Sequence, residues 1–173
     1  MPKGVLQSLL TGERPIVSHV QPMYRLRDNR KVAQEYLVRY LDSSGSPQPV
    51  GPILQSPDLD PADRLTLDLR FLEQTFGILA AGDGAEHLHF VNLEPVSLEA
   101  CGFWEALPRW LEGLPFAPGQ VVLEFTEGQR IHDAEALRRY AARLRDAGVR
   151  IAVDDLGAGV ASLSHMARLA PDF

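Results

Sequence analysis

Three short apolar runs in this chain each carry an acidic or amide side chain at their end. The runs are residues 88–92, 121–127 and 150–155, and their polar residues are Asn92, Glu124, Asp154 and Asp155. A carboxylate at the end of a buried strand is destabilising unless a partner offsets its lost hydration. Three such runs in succession indicate one shared partner, most simply a divalent cation.

Oxygen donors without thiolate or imidazole select hard cations such as Mg²⁺ and Mn²⁺. An earlier extended run adds an acid, and the predicted ligands are Glu35, Asn92, Glu124 and Asp154, with Asp155 beside a second ion. Two cations can activate a water molecule and stabilise both oxygens of an in-line phosphoryl displacement. Any one of these acids alone is more simply a solvated loop residue or a salt-bridge partner. Only the set, on successive strand ends, indicates a metal site.

Arg39 is the best candidate for a phosphate contact, because a guanidinium pairs with a phosphate through two hydrogen bonds. Side chains alternate along a strand, so Glu35, Leu37 and Arg39 fall on one face of the extended run 31–41. Without that context Arg39 is equally well explained as a surface arginine. The five histidines have no zinc spacing, and the chain has neither a Walker-type phosphate loop nor a serine nucleophile elbow.

The acidic runs alternate with helix-like segments, which predicts βα units and a parallel sheet. Strands are predicted over 17–26, 31–41, 88–93, 121–126 and 150–154, the first two as a hairpin. Helices are predicted over 62–81, 97–113, 133–147 and 161–169, the second kinked or split at Pro108. The stretch 43–61 is rich in Ser, Pro and Gly and is predicted to be a loop.

The predicted charged groups lie at the C-terminal ends of the strands, where α/β barrels place their active sites. A complete barrel takes about 250 residues. This chain has 173 residues, and it reaches Pro171-Asp172-Phe173 near where a sixth strand of the predicted series would begin.

Composition excludes several classes of function. Hydrophobic residues make up 45% of the chain, enough for a real core, and the net charge of -6 argues against wrapping long nucleic acid. No run of about 18 apolar residues suggests a transmembrane helix, and the N-terminal apolar stretch is too short for a signal peptide. The single cysteine, Cys101, excludes an intramolecular disulfide and suits a reducing cytoplasm. We expect Cys101 to be buried as a small apolar residue.

At these residues the chain resembles the EAL-domain family, the cyclic di-GMP phosphodiesterases of bacterial signalling. The matching segments, in chain order, are Gln21-Pro22-Met23, Glu35-Tyr36-Leu37-Val38-Arg39, Val91-Asn92-Leu93-Glu94-Pro95, Glu124-Phe125-Thr126-Glu127 and Asp154-Asp155-Leu156-Gly157-Ala158-Gly159. Their order and spacing agree from about residue 15 to the end of the chain. The combination is specific, although no single triplet would be.

The resemblance implies a TIM-like (β/α) barrel whose first strand is antiparallel, with about five of the eight strands present. It implies a domain over 15–173 after a lead-in over 1–14, and hydrolysis of cyclic di-GMP to linear pGpG with Mg²⁺ or Mn²⁺. The implied catalytic residues are Glu35, Asp154, Asp155 and Glu127, and the implied substrate contacts are Gln21, Leu37 and Arg39. Glu127 would anchor the glycine loop after Asp155, near the interface of a homodimer.

The chain also departs from the family pattern. Tyr36 stands in place of an alanine, and its side chain should point away from the Glu35 face; Leu156 replaces a phenylalanine and Ala161 a serine. The family's catalytic lysine should follow Pro171-Asp172-Phe173 within a few residues, with a glutamate and a glutamine later. We therefore expect this chain to be a fragment with a nearly complete first metal half-site that does not hydrolyse cyclic di-GMP on its own.

Three alternatives stay open. A non-catalytic cyclic di-GMP receptor or regulatory domain would also fit the missing lysine. An unrelated metal-dependent barrel enzyme, such as an enolase-like lyase, would leave Gln21-Pro22 and Glu124-Phe125-Thr126-Glu127 unexplained. A truncated product that folds only by pairing with a second copy is the third.

Overall fold

The computed structural model describes residues 3–57, 59–82, 87–126, 134–154 and 170–173. Its strands are β1 (Ile16–Arg25), β2 (Arg30–Leu41), β3 (Pro47–Pro49), β4 (Leu88–Asn92), β5 (Val121–Thr126) and β6 (Arg150–Asp154). Its α-helices are α1 (Lys3–Leu10), α2 (Gly51–Leu54), α3 (Pro61–Ala80), α4 (Cys101–Glu112) and α5 (Ala134–Asp146). Two 3-10 turns span Pro95–Glu99 and Pro118–Gln120.

The described strands form one mixed sheet in the order β1-β2-β4-β5-β6, with β3 attached to β2. β1 runs antiparallel to β2, whereas β2, β4, β5 and β6 are mutually parallel. The hairpin and the parallel βα units are therefore as predicted. The described strands leave the sheet open rather than closing it into a cylinder.

The outer face of the sheet carries the main hydrophobic core. Strand residues such as Val91 and Leu123 pack there against apolar faces of α3, α4 and α5. α3 begins cleanly, because Asp60 accepts a hydrogen bond from the backbone N–H of Asp63 at 2.8 Å and Pro61 occupies the first helical position. Burying each large side chain of this core contributes about 1.5–3 kcal/mol to folding.

The inner face of the sheet carries a smaller apolar layer. Its buried members, one from each parallel strand, are Ala33, Phe90, Val122 and Ala152. The ring of Phe173 meets that of Phe90 edge-on at 5.6 Å. The backbone of Asp172 donates to the carbonyl of Ile151 at 2.7 Å, so the chain pairs with β6 where a further strand was expected.

Three sequence predictions about residues 43–113 were wrong, wholly or in part. The stretch 43–61 contains β3, paired antiparallel with the end of β2, and the one-turn helix α2, and it carries no apolar periodicity that would reveal them. The segment 97–113 is split at Ala100, whose backbone is extended, while Pro108 lies inside α4. Cys101 is exposed, because it falls on the side of α4 opposite the buried Phe103 and Leu107.

The helix α1 falls inside the predicted lead-in and packs with Leu9 buried in a second apolar cluster. The predicted helix 161–169 lies outside the described residues. Within the described ranges, no helix combines the length and apolar character needed to cross a membrane.

Candidate functional site

The pairing of the parallel strands gathers the predicted ligands at one end of the sheet. Asn92 lies two residues beyond the β4 partner of Glu35. Asn92 is itself paired with Glu124 on β5, and Asp154 lies two residues beyond the β6 partner of Glu124. Because paired residues and residues two apart share a face, all four side chains project from the inner face, near the C-terminal ends of β4, β5 and β6 and at the adjacent middle of β2.

Each of these four positions follows the inner apolar layer by two residues. The layer therefore forms a floor, and the ligand candidates form the next level above it. Glu124 is 9% exposed, whereas Asn92 and Asp154 are exposed at the rim. Solvent exposure therefore increases from the buried apolar floor to the opening, as a site for a polar ligand requires.

One direct contact joins two of the ligand candidates. The side-chain amide of Asn92 donates to Oε1 of Glu35 at 3.1 Å, across a separation of 57 residues in the chain. The amide nitrogen of Asn92 thereby faces Glu35. The bond orients both groups toward the same space.

That space is a cavity of about 320 Å³. Its walls come from β2, the β3–α2 segment, α3 and the ends of β4, β5 and β6. Six predicted site residues line it: Glu35, Leu37, Arg39, Asn92, Glu124 and Asp154. The structure therefore brings these side chains to the wall of one cavity.

The remaining predicted residues are placed less centrally or not at all. Gln21 sits on β1 opposite Glu35 in the antiparallel ladder, is exposed, and does not line the cavity. Asp155 and Glu127 lie outside the described residues. Tyr36 is 5% exposed and belongs to the outer core, so its side chain points away from the Glu35 side as expected.

Arg39 lies on the cavity wall and donates from Nη1 to the backbone carbonyl of Val38 at 2.9 Å. This local bond uses one of its five N–H groups. The others can meet an anion entering the cavity. Arg39 thus places a positive charge beside three carboxylates that favour a cation.

One further polar residue at the cavity, Asp68, was not predicted from the sequence. Asp68, on α3, is 3% exposed, lines the cavity and accepts hydrogen bonds from the Ser97 hydroxyl and the Glu94 backbone N–H. The pKa of the Asp68 carboxyl is raised to about 8, mainly by burial and also by the nearby Glu94 carboxylate, while the hydrogen bonds from Ser97 and from the Glu94 backbone act in the lowering direction. Nothing in the sequence distinguishes Asp68 from an ordinary solvent-exposed residue of a helix.

The donor set suits a hard divalent cation by its chemistry, since it consists of carboxylate and amide oxygens. Among the residues described, no three acidic, histidine or cysteine side chains are grouped closely enough to hold a metal by themselves. Glu35, Asn92, Glu124 and Asp154 instead surround the cavity, with the Asn92–Glu35 bond as their direct link. The chemistry of these donors, rather than a preformed cluster of acids, is what fits an ion-binding site.

Comparison with known proteins identifies relatives over most of the chain. The family model of the EAL domain matches residues 6–173. The probable cyclic di-GMP phosphodiesterase PdeB of Escherichia coli (strain K12) is 29% identical over 163 residues, which are 92% of this chain and 31% of PdeB. This chain therefore spans about a third of that relative.

Solved structures agree with the fold. The Bacillus subtilis YkuI protein, in complex with substrate c-di-GMP and calcium, matches with a TM-score of 0.82 and 26% identity, covering 99% of this chain and 42% of YkuI. A manganese/cyclic di-GMP complex of Klebsiella pneumoniae BlrP1 matches with a TM-score of 0.66 and 27% identity, covering 94% of this chain and 44% of BlrP1. The predicted α/β fold, a TIM-like barrel type with an antiparallel first strand, is confirmed.

Proposed function

The chain belongs to the EAL domain family, and from that premise we propose that it is a cyclic di-GMP phosphodiesterase domain that holds its substrate through divalent metal ions. Because the chain covers less than half of YkuI and about a third of PdeB, the activity of those longer proteins comes to it only as part of this proposal. The metal and the cyclic dinucleotide in the YkuI and BlrP1 complexes support it.

The observation that carries the proposal is the Asn92–Glu35 hydrogen bond at the mouth of a cavity that Glu124, Asp154 and Arg39 also line. Oxygen donors for a cation and a guanidinium for a phosphate thus face one space. An apolar pocket would need neither the oxygen donors nor the guanidinium, and a structural ion pair would need only one acid and one base.

Each side chain has a distinct proposed role. Glu35, Asn92, Glu124 and Asp154 would hold the first ion, which when bound would supply Lewis-acid stabilisation and a reactive water for phosphodiester hydrolysis. Arg39 would donate to the non-bridging phosphate oxygens, and Leu37 would pack against the ligand beside it. Asp155 would serve a second ion, Gln21 a more distant substrate contact, and Glu127 would anchor the glycine loop.

Calorimetric titration with Mn²⁺, followed by cyclic di-GMP, tests the proposal. The wild-type chain is expected to bind both, and Glu35→Ala to lose Mn²⁺ binding and with it the dinucleotide. Glu73→Ala is the matched control, since Glu73 is an exposed acid of α3 outside the cavity. Unchanged Mn²⁺ affinity in Glu35→Ala would refute the proposed ligand set.

A cyclic di-GMP receptor without turnover is the second candidate. It is favoured by the absence of a grouped set of three acids among the described residues. Release of pGpG, measured by chromatography after incubation with Mn²⁺, separates the two candidates. Binding with no pGpG would favour the receptor, and turnover that Glu35→Ala abolishes would favour the enzyme.

A further inference from the structure

Helix α3 presents two polar side chains to the segment that follows β4. Arg64 and Asp68 are four residues apart and so lie on one side of the helix. Asp68 accepts from the backbone N–H of Glu94 at 3.2 Å and from the Ser97 hydroxyl, both through Oδ2. Ser97 is fully buried, so these bonds form away from water.

The second side chain, Arg64, reaches two segments. Its Nη1 lies 3.6 Å from Oε2 of Glu94, and the same group donates to the backbone carbonyl of Leu54 in α2. Leu54 and Glu94 both line the cavity, on walls contributed by different elements. α3 therefore ties two walls of the cavity to one rigid helix.

The tied segment is also held from the sheet side. The backbone N–H of Leu93 donates to the carbonyl of Glu124 at 2.9 Å, which extends the β4–β5 ladder by one residue. Asn92 thus sits directly before a backbone fixed by β5 at Leu93 and by Asp68 at Glu94. Both restraints act on the backbone that follows Asn92, and they therefore set the position from which its side chain reaches Glu35.

Packing alone does not explain an acid at position 68. The carboxyl is buried, and apolar residues flank it at Leu67 and Phe71. Replacing buried ionisable groups by apolar residues of similar size is often neutral or stabilising in proteins. An apolar side chain at position 68 could not accept the two hydrogen bonds from the segment after Asn92.

We propose that Asp68 is a positioning residue: it fixes the turn after β4 so that the Asn92 amide is aimed at Glu35. The role rests on the proposed function in so far as Asn92 is a metal ligand. Arg64, through Glu94, is the second arm of the same restraint.

The Asn92 side-chain amide resonance, recorded by NMR without metal and assigned through Asn92→Ala, reports the geometry directly. Asp68→Ala is expected to shift or broaden it, while Asp68→Asn, whose amide oxygen still accepts both bonds, retains the wild-type position. Mn²⁺ affinity is expected to fall about 10- to 100-fold in Asp68→Ala, the size of effect seen when partners of metal ligands are removed. Thr75→Val is the control, because Thr75 is a buried polar residue of the same helix and lines the same cavity.

A folded Asp68→Ala variant with the wild-type Asn92 resonance would overturn the proposal, as would an Asp68→Asn variant that fails to restore it. Should Asp68→Ala not fold, Ser97→Ala removes one of the two donors and must shift the same resonance; no shift would again overturn it. Failure of the wild-type chain to bind Mn²⁺ would refute the proposed function, while the metal-free resonance would still decide the role of Asp68.

Discussion

At the scale of single residues, acids at the same cavity have different environments. Glu35 is half-buried on β2, whereas Asp68 is enclosed by α3 and the turn after β4. Burial is the largest cause of the raised pKa of Asp68, and its proximity to the Glu94 carboxylate adds to it. The first acid is available to a cation, while the second is kept protonated in neutral solution.

The pKa of Asp68 predicts how stability depends on pH. The folded carboxyl keeps its proton up to about pH 8, whereas the unfolded one loses it near 3.8. The folded state therefore binds more protons between these values, and the free energy of unfolding contributed by Asp68 falls as the pH rises from about 4 to 8. Asp68→Asn should gain stability relative to wild type across that window and no further above it. Urea unfolding of both chains at several pH values measures this, and a constant difference would contradict it.

Arg39 gives a second prediction at this scale. If Arg39 binds a phosphate through paired hydrogen bonds, Arg39→Lys should weaken cyclic di-GMP binding about tenfold or more. The reason is that an ammonium group cannot donate two parallel hydrogen bonds as a planar guanidinium does. Arg138→Lys is the control, since Arg138 lies on the exposed side of α5 and pairs with Glu135 at 3.2 Å. Equal loss in both variants would indicate a general charge effect instead of a specific clamp.

At the scale of elements, the turn between α5 and β6 fixes how the last described strand enters the sheet. Gly148 has φ of 85°, a left-handed conformation that ends the helix, and an added Cβ would lie 3.3 Å from Cβ of Pro118. The helix predicted over 133–147 indeed ends at this turn, since α5 runs to Asp146. The position of Asp154 at the end of β6 depends on this turn.

Gly148→Ala should therefore destabilise the protein by about 1–2 kcal/mol, the approximate penalty for a non-glycine residue in this backbone conformation. Gly77→Ala is the matched control. Gly77 lies inside α3 with open space around its Cβ position, so alanine should stabilise by about 0.5–1 kcal/mol. Thermal or urea unfolding of the two variants gives the comparison, and shifts of the same sign would contradict it.

Strands were predictable where an apolar run had one polar end, as in 88–92 and 150–154. Two features were not. The β3–α2 segment lacks periodic apolar residues, and its form depends on pairing with β2 and on the Arg64 contact to Leu54. Asp68 resembles any polar helix residue in the sequence, and its hydrogen-bond partner Ser97 lies 29 residues away in the chain.

At the scale of the whole molecule, the site is acidic in a chain whose net charge is -6. An anionic dinucleotide approaching such a chain is repelled unless cations neutralise the acids. The homodimer implied by the family resemblance and the cytoplasmic location suggested by the single cysteine stay predictions, as does the expectation that the chain alone does not hydrolyse its ligand.

Metal addition and removal test this charge argument. The apolar layers hold the fold without an ion, so EDTA should leave the chain folded while abolishing cyclic di-GMP binding. Mn²⁺ should raise the melting temperature by mass action, equivalent to about 2.7 kcal/mol at a hundredfold excess over Kd. Glu35→Ala should show no such rise. A thermal shift of wild-type size in Glu35→Ala would place the ion elsewhere.

The two-residue step from the inner apolar layer to the ligand level also constrains how the strands assemble. If β5 or β6 slid by two residues in the direction that lowers its C-terminal end, Glu124 or Asp154 would enter the apolar floor, where an unpaired charge is severely penalised. If it slid by one, its apolar residue would leave the floor altogether. The acids proposed to bind an ion therefore also disfavour a shifted register of the strands that carry them, whether or not a ligand is bound.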